Sequence, residues 1–238
     1  LLCLGVLLHC WYRREYVWEV WNVLSQLSVT YLVAFLFMKK TIRTQIIISF
    51  VILIVNYLLY RFFPIPGSTD HWVKDHNFGA FVDRLIMGKI NPGGGWVAIN
   101  VIGSSAHTMW GVIAGLVLKS DRDGMNKVWC LALAGITGVA LGYALDPLTP
   151  IIKRICTSSF ILASGGYALI GLALFYWIID VKGFRKWTWI ITVVGMNSIF
   201  IYLFKEILGG WANEFVGVFI APVTSRIGIL GPIVHANA

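Results

Sequence analysis

The basic residues of this chain gather in short gaps between apolar runs, several of which are about twenty residues long. That alternation leaves few folds open. A backbone inside hydrocarbon has no water to bond, so its N–H and C=O groups must pair within the segment, which favours helices. Runs at 17–38, 45–63, 96–118, 128–145, 155–179 and 187–208 read as membrane spans, and the apolar stretch 1–11 as the tail of another. The expected fold is all-α: a polytopic transmembrane helix bundle with about seven spans visible, forming a single integral membrane domain over residues 1–238.

Composition agrees. Only 13% of the 238 residues are charged, where a soluble domain carries about one quarter, and 58% are hydrophobic. The net charge of +8 raises the question of nucleic acid. The placement of the basic residues in loops between spans excludes it and fits orientation in a bilayer instead. One set of loops carries Lys39, Lys40, Arg43, Lys119, Arg122, Lys127, Lys182, Arg185 and Lys186. The other carries Arg13, Arg14, Lys153, Arg154, Arg226 and the long loop 64–93. Long loops count little in the orientation rule, so the first set is placed in the cytoplasm, and the long loop and Lys205-Glu206 outside. Cys3, Cys10, Cys130 and Cys156 show no Cys-x-x-Cys spacing and read as small buried hydrophobes.

Polar residues within the runs narrow the function. Asn22, Gln26 and Thr30 recur every four residues, and Asn100, Ser104, His107 and Gly111 follow four, three and four residue steps. Each set falls on one helix face, which must look into the bundle. Gly111-x-x-x-Gly115 and Gly138-x-x-x-Gly142 are expected to admit a neighbouring helix closely. His107, the only histidine in mid-span, could serve as general base toward an amine or hydroxyl. It could equally be a structural histidine bonded to Ser104 or to another helix. In the long loop, 78–87 has the apolar spacing of a short interfacial helix. Asn91-Pro92-Gly93-Gly94-Gly95 lacks the Gly-Lys-Ser/Thr of a phosphate loop, and His71 and His76 with Asp70 and Asp75 are too loosely spaced to imply a metal site, so no metal is expected.

Four segments carry a resemblance. WNVLSQLSVTYLVAFL (21–36) is similar to a V-L-Q-R-L-x-V-x-Y span, NFGAFVDRLIMGK (77–89) to an N-x-x-x-x-x-D-R-L-L-x-G loop, PLTPIIKRICTSSFILASGG (147–166) to a P-x-x-K-x-x-W-T-S-S-F segment, and GMNSIFIYLFKEIL (195–208) to a GMNS-plus-Glu helix. In that order they resemble the heparan-α-glucosaminide N-acetyltransferase family and its bacterial relatives. The resemblance implies an acyltransferase of the bacterial inner membrane that moves an acetyl group from cytosolic acetyl-CoA, a co-substrate and not a bound cofactor, to a saccharide amine or hydroxyl outside. It marks Asn77, Asp83, Arg84, Ser158, Ser159, Asn197 and Ser198 as binding residues and Glu206 as a helper of the acceptor. Each has a bland alternative: a turn-forming Asn77, an Asp83–Arg84 ion pair, Ser158, Ser159, Asn197 and Ser198 satisfying one another, and Glu206 neutralising Lys205.

Two departures matter. Gln26 stands where the family usually has Arg and cannot supply a charge for a CoA phosphate, and Cys156 stands where it has Trp. The family's catalytic histidine lies in a span upstream of Leu1, so His107 is not its equivalent. The chain is expected to be the middle of a larger protein and inactive alone. A homodimer stays open. So does another class, a transporter or flippase-like protein for saccharide intermediates, since polar stripes suit that too. That reading calls for an internal repeat with paired broken helices, and none is visible in the sequence.

Overall fold

The computed structural model describes residues 1–65 and 70–224, with side chains as far as residue 215. Among the described residues all regular structure is helical: α1 (Leu2–Arg13), α2 (Val23–Phe37), α3 (Ile42–Phe62), α4 (Phe78–Met87), α5 (Val101–Lys119), α6 (Gly124–Ala144), α7 (Ser158–Tyr176), α8 (Thr188–Met196) and α9 (Ser198–Thr224). A 3₁₀ turn, Ala98–Asn100, leads into α5, and a π turn, Trp177–Val181, extends α7.

Short polar side chains set the helix starts by accepting backbone N–H groups that have no partner within the helix. Asn22 accepts from Ser25, Thr41 from Thr44, Asn77 from Ala80 and Asp123 from Met125. Gly88, at φ +71°, ends α4 in the left-handed conformation that lets its N–H reach the Arg84 carbonyl.

Among the described residues, four helices are long and apolar enough to cross a membrane: α3, Ala98–Lys119, α6 and Ser158–Val181. The 21 residues of α3 or α6 make about 31 Å of helix, the thickness of a hydrocarbon core. Two expected spans differ. The run 17–38 becomes helical only at Val23, because residues 16–21 are non-helical and Asn22 caps the start, which leaves α2 with 15 residues. The run 187–208 is not one straight helix: α8 and α9 meet at Asn197 with a bend of 76°. Among the described residues the structure thus holds four apolar spans, or five with the bent pair counted as one.

The chain divides into two compact units, Leu1–Lys182 and Gly183–Ala238. In the first, α3 and α2 lie against α5, α1 lies on α2, and α6 packs along α7. Alternating helix directions bring the short loops 38–41 and 120–123 to one end, called here the basic end. They bring α4, the segment 14–22 and residues 145–157 to the other, the loop end.

Gly135, Gly138, Gly142 and Gly166 make the α6–α7 contact. A Cβ on Gly142 would stand 2.5 Å from the Ala163 nitrogen, and one on Gly138 3.1 Å from the Leu162 carbonyl oxygen. The pair Gly111 and Gly115 behaves otherwise: a Cβ on either meets nothing within 4 Å, so no helix is drawn close there. The cysteines also depart from expectation. Cys156 is buried, but Cys10 and Cys130 are half-buried and Cys3 is exposed, because α1 and α6 turn those faces outward.

Candidate functional site

The loop end holds a buried acidic pair that is anchored separately. Asp83, on the inner face of α4, is fully buried. Its carboxylate accepts from Trp21 Nε1 at 2.7 Å and from the Ala98 N–H at 3.0 Å, and among the described residues it meets no cation. Burial pushes its pKa up, and the two hydrogen bonds only partly oppose that. Arg84 points the other way: it is exposed, and its Nη2 donates to the Asp75 carbonyl. The alternative reading of these two residues, an Asp83–Arg84 ion pair, therefore does not form. Asn77 is spent on local structure, accepting from Ala80 and donating to the Val73 carbonyl at 3.0 Å.

Glu19, 1% exposed, is the second acid. Its carboxylate meets His9 Nδ1 at 2.7 Å, Lys89 Nζ at 2.8 Å and Arg13 Nε at 3.5 Å, tying α1 to the loop after α4. Burial raises its pKa, but hydrogen bonds to Lys89 and His9 and the charges of Lys89 and Arg13 outweigh burial, and the net direction is down. Deeper in, Asn56 donates to the Cys156 carbonyl at 3.1 Å, while its Oδ1, the Tyr60 hydroxyl and both amide atoms of Asn100 are buried without a partner among the described residues.

His107 sits in mid-bundle between α5 and α7. Its Nε2 is 2.9 Å from the Ile161 carbonyl oxygen and 3.1 Å from Ser164 Oγ, and the Ser164 hydroxyl itself donates to the Phe160 carbonyl. A carbonyl only accepts, so Nε2 carries the proton and Nδ1 keeps the lone pair. His107 lines a cleft of about 250 Å³ with Trp110, Gly111, Ser164, Gly165 and Ala168. Trp110 forms one wall: its Nε1 donates to Ser49 Oγ at 2.9 Å, and its ring fills the space a Gly165 side chain would need.

The other sequence candidates do not converge on this cleft. Ser158 donates to the Leu53 carbonyl at 2.8 Å and Ser159 shares a hydrogen bond with Thr157, so both are buried helix ties. Gln26 donates to the Trp21 carbonyl at 3.0 Å. Asn100 lines no part of the cleft, which removes it from a chamber shared with His107. A comparison with protein-family models and with curated proteins found no match to this chain.

In the second unit, Asn197 ends α8, with its Nδ2 donating to the Val193 carbonyl at 2.9 Å. Asn197 and Ser198 are exposed within the break, not held together as an intramembrane pair. Lys205 Nζ meets Glu206 Oε1 at 3.0 Å, the bland reading of that pair.

Sequence reasoning passed over Glu19, Trp21, Ser164 and Trp110. Glu19 carried a signal, since it and Glu206 are the carboxylates inside the apolar runs. Ser164 lies in Ser-Gly-Gly, a segment already inside the family-like motif.

Proposed function

We propose that this chain belongs to a membrane acyltransferase related to the heparan-α-glucosaminide N-acetyltransferases, in a bundle of about seven spans whose long loop is extracytoplasmic. It would pass an acetyl group from cytosolic acetyl-CoA to a glycan amine or hydroxyl on the far side. The observation that carries this reading is His107, an imidazole with Nε2 committed to Ile161, its Nδ1 without a partner among the described residues, and a cleft beside it. A thioester is already activated, so transfer needs a base, positioning and little else. The acceptor nitrogen or oxygen attacks the thioester carbonyl as Nδ1 takes its proton. The C–S bond breaks, and the departing thiolate receives that proton from the imidazolium. At about 250 Å³ the cleft is smaller than the ~300–1,000 Å³ of common ligand pockets, which suits the acetyl end of the donor and leaves the nucleotide outside. The histidine that the family uses is not His107, whose role here rests on geometry alone.

A second reading has one observation behind it. The 76° break between α8 and α9 falls at Asn197–Ser198, and discontinuous helices are how many carriers hold substrate. Ligand stabilisation separates the two. For the acyltransferase, acetyl-CoA at about a hundred times its Kd contributes ~2.7 kcal/mol and raises the Tm by roughly 5–10 °C. Gly111→Phe, whose side chain enters open space beside the cleft, removes that shift without unfolding the chain. A shift produced by a saccharide alone, with none from acetyl-CoA, would favour the carrier.

A further inference from the structure

A second cleft, of about 420 Å³, lies between α3, α5, α6 and α7 and reaches Ile42, Val117 and Arg122 at the basic end. Its walls are almost wholly apolar: Ile46 and Phe50 from α3, Ile113 from α5, Leu141 from α6 and Leu169 from α7 run along its length. Its only charged lining residue is Arg122, in the α5–α6 loop. That guanidinium is exposed, and among the described residues its Nη1 donates only weakly, to Cys130 Sγ at 3.8 Å. Lys39 and Lys40 in the loop before α3, and Arg43 in its first turn, bring more positive charge to the same end. None of these four cations forms an ion pair among the described residues. Two acids flank Arg122, exposed Asp121 and Asp123, which caps α6 by accepting from the Met125 N–H; among the described residues neither forms an ion pair with these cations.

A long apolar slot that ends at unpaired cations has the polarity of one kind of occupant. We propose that it binds an anionic phospholipid, with an acyl chain lying in the slot and the phosphate held by Arg122. Arg suits this role because its planar fork meets a phosphate with two parallel hydrogen bonds, and the end of a span is where a headgroup lies. A free phosphate would gain nothing from the apolar walls, and a neutral lipid nothing from the cations. The inference needs α3, α5, α6 and α7 to cross the bilayer but does not depend on acyl transfer.

The test is a lipid titration of the protein purified in a neutral maltoside detergent, read as Tm. Phosphatidylglycerol should raise the Tm at lower concentrations than phosphatidylcholine of the same chains. Arg122→Gln should weaken phosphatidylglycerol roughly tenfold, to the phosphatidylcholine level, as expected when charge-assisted hydrogen bonds are lost. Ala134→Phe, which narrows the slot from an exposed wall position, should weaken both lipids. Equal response to the two lipids, a preference that survives Arg122→Gln, or a shift reproduced by inorganic phosphate would each overturn the proposal. Should Ala134→Phe fail to fold, the Arg122→Gln series decides alone.

Discussion

Gly166→Ala is expected to destabilise the protein by ~3 kcal/mol, although helix propensity alone favours alanine over glycine by about 1 kcal/mol. The new Cβ would stand 2.5 Å from the Gly135 carbonyl oxygen and 2.6 Å from the Val139 nitrogen. Backbone atoms in a packed helix cannot turn aside, so α6 and α7 must move apart, and overpacking of that kind outweighs the propensity gain. Gly171→Ala is the matched control. It lies on the same helix with nothing within 4 Å of its Cβ, and should leave stability unchanged or raise it by up to about 1 kcal/mol. Denaturation of both variants in one detergent checks the sign as well as the size.

Glu19→Gln is the second large effect, about 3 kcal/mol of destabilisation at neutral pH. Removing one partner of a buried ion pair costs ~3–5 kcal/mol. The lower end applies because Arg13 and Lys89, each 43% exposed, regain water when the carboxylate is gone. The effect has a defined pH dependence. The folded pKa of Glu19 lies below its unfolded value, so its contribution is complete above about pH 4.3 and fades as pH falls through the folded pKa. The native chain and Glu19→Gln should therefore converge in acid. Asp83 acts in the opposite sense: its folded pKa is raised, so the contribution tied to its protonation is complete below its unfolded pKa and is lost as pH rises through the folded one. A gap between the native chain and Glu19→Gln that stays constant from pH 7 to pH 3 would remove Glu19 from this role.

What the sequence made legible follows from which forces are local. Apolar periodicity located α3, α5, α6 and α7 within a few residues and placed the short helix at 78–87 where it lies. Boundaries failed where a single polar contact decides them. Residues 17–21 are apolar enough to be helical, yet buried Glu19 reaches His9, Arg13 and Lys89, and Trp21 reaches Asp83, which pins the segment in an irregular path. The break at Asn197 was hidden for a similar reason: Asn197 donates to its own helix, which satisfies the side chain where the chain turns. The site was legible in part. His107 was visible as a lone mid-span histidine, but its partners on α7 are 54 and 57 residues away, and no spacing rule announces them. The small-residue pattern proved ambiguous, since Gly138 and Gly142 mark a helix contact while Gly111 and Gly115 do not.

The account turns on His107 having a free ring nitrogen beside a cleft that receives an acyl donor. Carbethoxylation of His107 by diethyl pyrocarbonate, followed site by site by mass spectrometry, measures both properties at once. With Nδ1 uncommitted, His107 should be modified in the free protein, and saturating acetyl-CoA should slow its modification at least tenfold while leaving half-buried His71 and exposed His76 unchanged. A His107 that resists the reagent without ligand, or reacts equally fast with and without acetyl-CoA, would contradict the account.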